Sequence, residues 1–163
     1  MADTIAAIAT GAQAAAIGIL RLSGDGAVSV ADRLFRPASG RRMADAADRQ
    51  LVYGGLYDTD GALLDRCLCT VSRGPGSYTG EDTAEFQCHG SPAVLQSALM
   101  ACFRLGARQA LPGEFTKRAF LNGRMDLTAA EAVADLIDAQ SVEGAKNAAA
   151  QLAGALAAGC EEI

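Results

Sequence analysis

Three charged side chains in this sequence sit where ligand chemistry and ordinary structure would both account for them. Arg21 lies in the run Ile17-Gly-Ile-Leu-Arg-Leu-Ser23. In an extended strand alternate residues share a face, so Arg21 lines up with Ile17 and Ile19. A cation on an apolar face needs an anionic partner, because an unpaired buried charge is costly; otherwise it lies at a sheet edge and reaches its head group to water. Glu85 lies in Thr83-Ala-Glu-Phe-Gln-Cys88, where Thr83, Glu85 and Gln87 share one face and Ala84, Phe86 and Cys88 the other. Solvation of the polar face explains that pattern. So does a carboxylate that accepts two parallel N–H bonds from the amino-pyrimidinone edge of a pterin, the geometry that also suits guanidinium. The segment Pro112–Asp126 sets Lys117, Arg118 and Arg124 against Glu114 and Asp126. Ion pairs on a short solvated helix would account for these charges, each contributing little. The alternative puts Arg124, on the loop after Gly123, against the anionic tail of a ligand, since loops on a rigid frame commonly carry such contacts.

Other chemistries find less support. His89 has no nucleophile or second ligand nearby in sequence and reads as a loop-holding residue. Nothing arranges Ser, His and Asp as a triad, and no catalytic residue is expected. The pattern Gly-x(4)-Gly-Lys-Ser/Thr does not occur in the 163 residues. The glycine-rich stretch Arg73–Gly80 precedes a strand rather than a helix, so it is no phosphate cradle of that type. The five cysteines form no Cys-x-x-Cys, and one histidine cannot complete a four-ligand zinc site at that spacing. Cys67 and Cys69, two apart in a strand-like run, read as buried small hydrophobes; no metal ligands are expected.

The elements that must position these residues follow from local signals. Ile5–Ala9 and Ile17–Ser23 read as strands, and Ser23-Gly-Asp-Gly26 is a turn with Asp25 placed to cap a helix over 27–35. Residues 36–49 read as a loop. Runs 51–57 and 64–71 flank Asp58-Thr-Asp-Gly61 and predict a hairpin. After the strand 83–88, Ser91 and Pro92 predict the start of a helix that ends near Gly106. Pro112-Gly113 opens a short helix, 114–121, which Asn122-Gly123 closes. Thr128-x-x-Glu131 reads as a capping box, behind which Ala130, Val133, Ala134 and Ile137 recur at helical spacing. A second alanine-rich helix begins near Val142. Strands mixed with helices up to about residue 120, then helices alone, predict an α+β domain followed by part of an α-helical one.

Half of the residues are hydrophobic, but only 5% are aromatic and Trp is absent. A core of Ala, Leu, Val and Ile stabilises less per residue than one with large rings, because buried apolar area scales with side-chain size. The net charge of −5 argues against this stretch gripping nucleic acid by itself, since phosphate binding needs clustered Lys and Arg. The N-terminus lacks a basic signal region, no apolar run of 18 residues follows, and free thiols suit a reducing compartment. A cytoplasmic location and no membrane association are expected.

Several stretches, in order and spacing, resemble the N-terminal part of the MnmE (TrmE) family of tRNA-modification GTPases. They are Asp3–Thr10, Ile17–Gly24, Ser77-Tyr-Thr-Gly-Glu-Asp82, Glu85 with Cys88-His-Gly90, Pro112–Asn122 and Asp126–Ile137. The resemblance implies a fold akin to the tetrahydrofolate-binding domain of glycine-cleavage aminomethyltransferase over residues 1–120, and the first helices of an incomplete helical domain over 121–163. It implies a homodimer made through the first domain and a bound folate, 5-formyl- or 5,10-methylene-tetrahydrofolate. The family's folate contacts map onto Arg21, Glu85 and Arg124, the last often lysine in the family. It further implies work with the flavoprotein MnmG on C5 of the wobble uridine of tRNA. GTP, Mg and K would belong to a domain that these residues stop short of, so no GTP hydrolysis is expected of them alone. The family's Pro-Pro-Gly-Arg-Gly-Gly is replaced here by Gly11-Ala-Gln-Ala-Ala-Ala16, which predicts a looser loop beside the ligand. Two other functions remain open: a stand-alone dimerisation module, or a small folate-dependent one-carbon transferase.

Overall fold

The computed structural model describes residues 2–161, with side chains through residue 154. The chain divides into two compact units, Met1–Ser77 with Glu81–Leu111, and Tyr78–Gly80 with Pro112–Ile163.

The first unit is a mixed sheet and helix layer. Its strands are β1 (Ile5–Ile8), β2 (Ala15–Ser23), β3 (Phe35–Pro37), β4 (Val52–Tyr57), β5 (Leu63–Ser72), β6 (Thr83–Gly90) and β7 (Arg108–Gln109). They form one sheet in the order β3-β4-β5-β6-β2-β1-β7, antiparallel except where β7 joins β1. Helices α1 (Ala27–Leu34) and α2 (Pro92–Arg104) pack on one face. Alternation decides what they bury: Leu20 and Leu22 on β2, Ala84, Phe86 and Cys88 on β6, and Cys67, Cys69 and Val71 on β5 all point into that layer. Against them pack Val30 and Leu34 of α1 and Leu95, Ala98 and Cys102 of α2. The core is built of aliphatic, small and sulfur-bearing side chains, with Phe35 and Phe86 as its only rings among the described residues.

Local chemistry explains most boundaries. The β4–β5 hairpin turns on Asp58, whose Oδ1 accepts from the backbone N–H groups of Asp60 and Ala62, each at 2.9 Å. Ser91 caps α2, accepting from Val94 N at 3.4 Å, with Pro92 in the first turn. Asp25, expected to cap α1, does not: the N-cap is Gly26, without a side-chain cap bond. Thr4 Oγ1 accepts from Gly26 N at 2.8 Å instead. The hydroxyl comes from just before β1, and Gly24 at φ 125° lets that strand pass close: a Cβ there would meet Asp3 O at 2.5 Å. The expected loop over 36–49 also contains structure. Phe35 and Pro37 are buried as the edge strand β3, and a 3-10 turn, Met43–Asp45, buries Met43. Arg73 ties this turn down through Ala44 O at 2.6 Å, Ala46 O at 3.0 Å and Asp48 Oδ1 at 2.6 Å.

The second unit holds α3 (Glu114–Leu121), α4 (Leu127–Asp138) and α5 (Val142–Glu161). Gly113 opens α3 at φ 71°. The cap of α4 is Asp126, which accepts from Ala129 N at 2.7 Å; Thr128 lies inside the first turn, so the expected capping box does not form. Ala129 and Ala132 are the buried face of α4. The stripe Ala130, Val133, Ala134 and Ile137 instead lines an open groove of about 430 Å³ with Phe120 and Leu127, and Ile137 is 78% exposed. Among the described residues no helix is long and apolar enough to cross a membrane.

Candidate functional site

The face of the sheet turned away from α1 and α2 carries the polar half of the alternation. On β6 it presents Thr83, Glu85 and Gln87, and on β2 it presents Ile19, Arg21 and Ser23. The antiparallel register sets Arg21 directly across from Glu85, and their side chains meet: Arg21 Nε donates to Glu85 Oε1 at 2.8 Å. Arg21 is thus an interior-strand arginine with a carboxylate partner, rather than an edge residue reaching to water. The two side chains are 34% and 25% exposed, so solvent can reach the pair and it contributes no more than about 1 kcal/mol to stability.

The same row continues on both sides. Ala7 on β1 pairs with Arg21, and Thr70 on β5 pairs with Glu85. Thr70 Oγ1 is buried and has no hydrogen-bond partner. A hydroxyl in that state costs free energy until something bonds it, and it lies beside the carboxylate. The sequence offered one signal for Thr70, a polar residue in the apolar run of β5, and nothing to connect it with Glu85. Glu81 closes the end of this face, accepting from Ser23 Oγ at 2.6 Å.

The third expected residue, Arg124, belongs to the second unit. Its backbone N–H bonds Ala119 O at 2.8 Å behind α3, and its stem runs along the glycine-rich loop: a Cβ on Gly80 would come within 3.2 Å of Arg124 Cγ and 2.9 Å of Asn122 Cβ. Asn122 Nδ2 donates to Thr79 O at 2.8 Å, and Tyr78 Oη lies 2.9 Å from Thr116 Oγ1. Gly80, at φ 80°, therefore serves both conformation and close approach. Glu114 and Arg118 are buried and paired at 3.3 Å, which is not the solvated helix face the sequence allowed.

His89 is exposed, and its ring Nδ1 lies 2.9 Å from Asp65 Oδ1; the bond is structural but links β6 to β5, not the loop the sequence suggested. Three buried thiols, those of Cys67, Cys69 and Cys102, are poor nucleophiles. The neighbouring Cys88 thiol and burial push Cys67 up, burial pushes Cys69 up, and burial pushes Cys102 up to about 12.

A family model described as GTP-binding protein TrmE N-terminus matches residues 4–124. The chain belongs to this family. The TrmE N-terminal match spans all seven strands of the sheet and ends at Arg124. Beyond it, the similarity extends to most of the chain. It is 49% identical over 154 residues to the tRNA modification GTPase MnmE of Symbiobacterium thermophilum, covering 94% of this chain and 34% of that protein. It is 50% identical over 158 residues to the protein of the same name from Synechococcus sp. (strain JA-3-3Ab), covering 96% and 34%. With that of Bacteroides thetaiotaomicron it shares 46% over 153 residues, covering 93% and 32%. The chain thus spans about a third of the length of the curated TrmE-family relatives it matches.

Proposed function

We propose that this chain supplies the folate-binding, dimer-forming part of a tRNA-modification GTPase of the MnmE kind. The observation that carries the reading is the row Arg21–Glu85–Thr70: a cation, a carboxylate and an unbonded hydroxyl side by side on one sheet face. In this reading Glu85 receives the amino-pyrimidinone edge of a reduced pterin through two parallel N–H···O bonds. Arg21 holds the carboxylate in orientation, and Arg124 meets the anionic tail. A pterin edge engages both carboxylate oxygens, whereas Arg21 now holds one of them, so binding turns the Glu85 side chain. The cofactor is 5-formyl- or 5,10-methylene-tetrahydrofolate. Dimerisation is supported by apolar side chains on the same face, where Ile17 and Tyr53 are more than half exposed. The role in modifying C5 of the wobble uridine, with MnmG and tRNA as partners in the cytoplasm, rests on family membership. GTP with its Mg and K would be handled by the remainder of the longer relatives.

Isothermal titration of the chain with 5-formyl-tetrahydrofolate tests the reading. Heat with the wild type and none with Arg21→Ala or Glu85→Ala supports it. A folded wild type that gives no heat overturns it, and a dimer by ultracentrifugation in that case would favour a dimerisation module alone. Transfer of label from methylene-tetrahydrofolate to an acceptor by this chain alone would favour a one-carbon transferase.

A further inference from the structure

Asp65 and Cys67 lie two apart on β5, and Cys88 lies on β6. The ladder that pairs Leu68 with Gln87 and Cys69 with Phe86 brings Cys67 opposite Cys88, both facing the helix layer. One carboxylate oxygen of Asp65 and the two sulfurs all lie within 4.8 Å of one another. The site is enclosed: Cys67 is 6% and Cys88 3% exposed, and the Asp65 side chain 12%. His89 fixes the carboxylate from the solvent side, its backbone N–H donating to Asp65 Oδ2 at 2.8 Å while its ring Nδ1 lies 2.9 Å from Oδ1.

We propose that Cys67, Cys88 and Asp65 form a binding site for one thiophilic divalent cation of the zinc type, with His89 as the residue that orients Asp65. Two sulfurs and one oxygen from protein are a donor set that zinc takes and that calcium and magnesium do not. Tetrahedral coordination at about 2.3 Å to sulfur and 2.0–2.2 Å to oxygen separates ligand atoms by roughly 3.5–3.8 Å, within the spacing found here. Loading exchanges charge for charge: the dication enters and the two thiol protons leave to solvent. The Asp65 carboxylate accepts from the backbone N–H groups of Arg66 and His89, and ligating carboxylates are held by hydrogen bonds of this kind. Spacing in sequence argues against zinc because it sees only residues near one another along the chain. The strand register supplies the second cysteine.

Cobalt(II), added to the reduced, metal-stripped chain, reads the site directly. The expected result is a thiolate-to-cobalt charge-transfer band with tetrahedral ligand-field absorption, saturating at one equivalent and displaced by zinc. Cys67→Val and Cys88→Ala each abolish the band with circular dichroism unchanged, Cys69→Ala and Cys102→Ala keep it, and His89→Ala weakens zinc binding about 10- to 100-fold. No band with the folded wild type overturns the proposal. So does a band that survives in the Cys67→Val/Cys88→Ala double variant, or recovery of Cys67 and Cys88 as a disulfide when zinc is in excess.

Discussion

The two faces of the sheet divide the work of this chain between them. On β6, Ala84, Phe86 and Cys88 vanish into the helix-covered face, while Thr83, Glu85 and Gln87 stay half-buried on the other. One strand thus turns its even-numbered residues to the core and its odd-numbered ones to the open polar face. Pleating separates the two sets, so each can change with little consequence for the other. For the Arg21–Glu85 row the lesson is that burial alone does not find a site; its groups are polar, partly accessible and aligned across strands.

That division can be broken or sharpened. The largest effect is expected from Phe86→Ala, which should lower stability by about 3–5 kcal/mol in urea unfolding, because Phe86 is fully buried at the centre of the sheet. Next, Glu85→Gln should abolish folate heat in calorimetry while moving stability by no more than about 1 kcal/mol. A collapse in stability instead would make the outer face structural too. Thr70→Val removes a buried, unbonded hydroxyl at nearly constant shape. Its unfolding midpoint should hold or rise, by up to about 1 kcal/mol, and folate affinity should fall if that hydroxyl meets the ligand. The smallest effect concerns acid. Burial alone would raise the Asp32 carboxyl, but the Arg42 guanidinium and the Ala44 N–H, bonded at 3.1 Å, hold it below its ordinary 3.8. A depressed carboxylate adds stability that is fully present above that ordinary value and lost as pH falls through the lower folded one. Asp32→Asn should therefore flatten thermal stability against pH below about 4, seen in melting curves across that range.

What could be read from the residues is what lies within a few positions along the chain. The Asp58–Gly61 turn, the Ser91 cap with Pro92, the glycine stops and the alternation of β6 all depend on neighbours in sequence, and all appear where the residue types put them. Local signals mislead where a distant group takes over a local task. Thr4 replaced Asp25 at the start of α1, and a three-residue edge strand was too short to show a period. In the second unit the apolar stripe of α4 lines an open groove, while Ala129 and Ala132 form its buried face.

The candidate site divides the same way. Composition and alternation by themselves determined that Arg21 and Glu85 are polar positions on strands with one apolar face. Only the tertiary structure decided that the two face each other at 2.8 Å, that Thr70 joins them, and that Cys67 meets Cys88. The reason is register. Residues about 15 to 65 positions apart become neighbours through the ladder of backbone hydrogen bonds, and a slip of one residue would send each side chain to the opposite face.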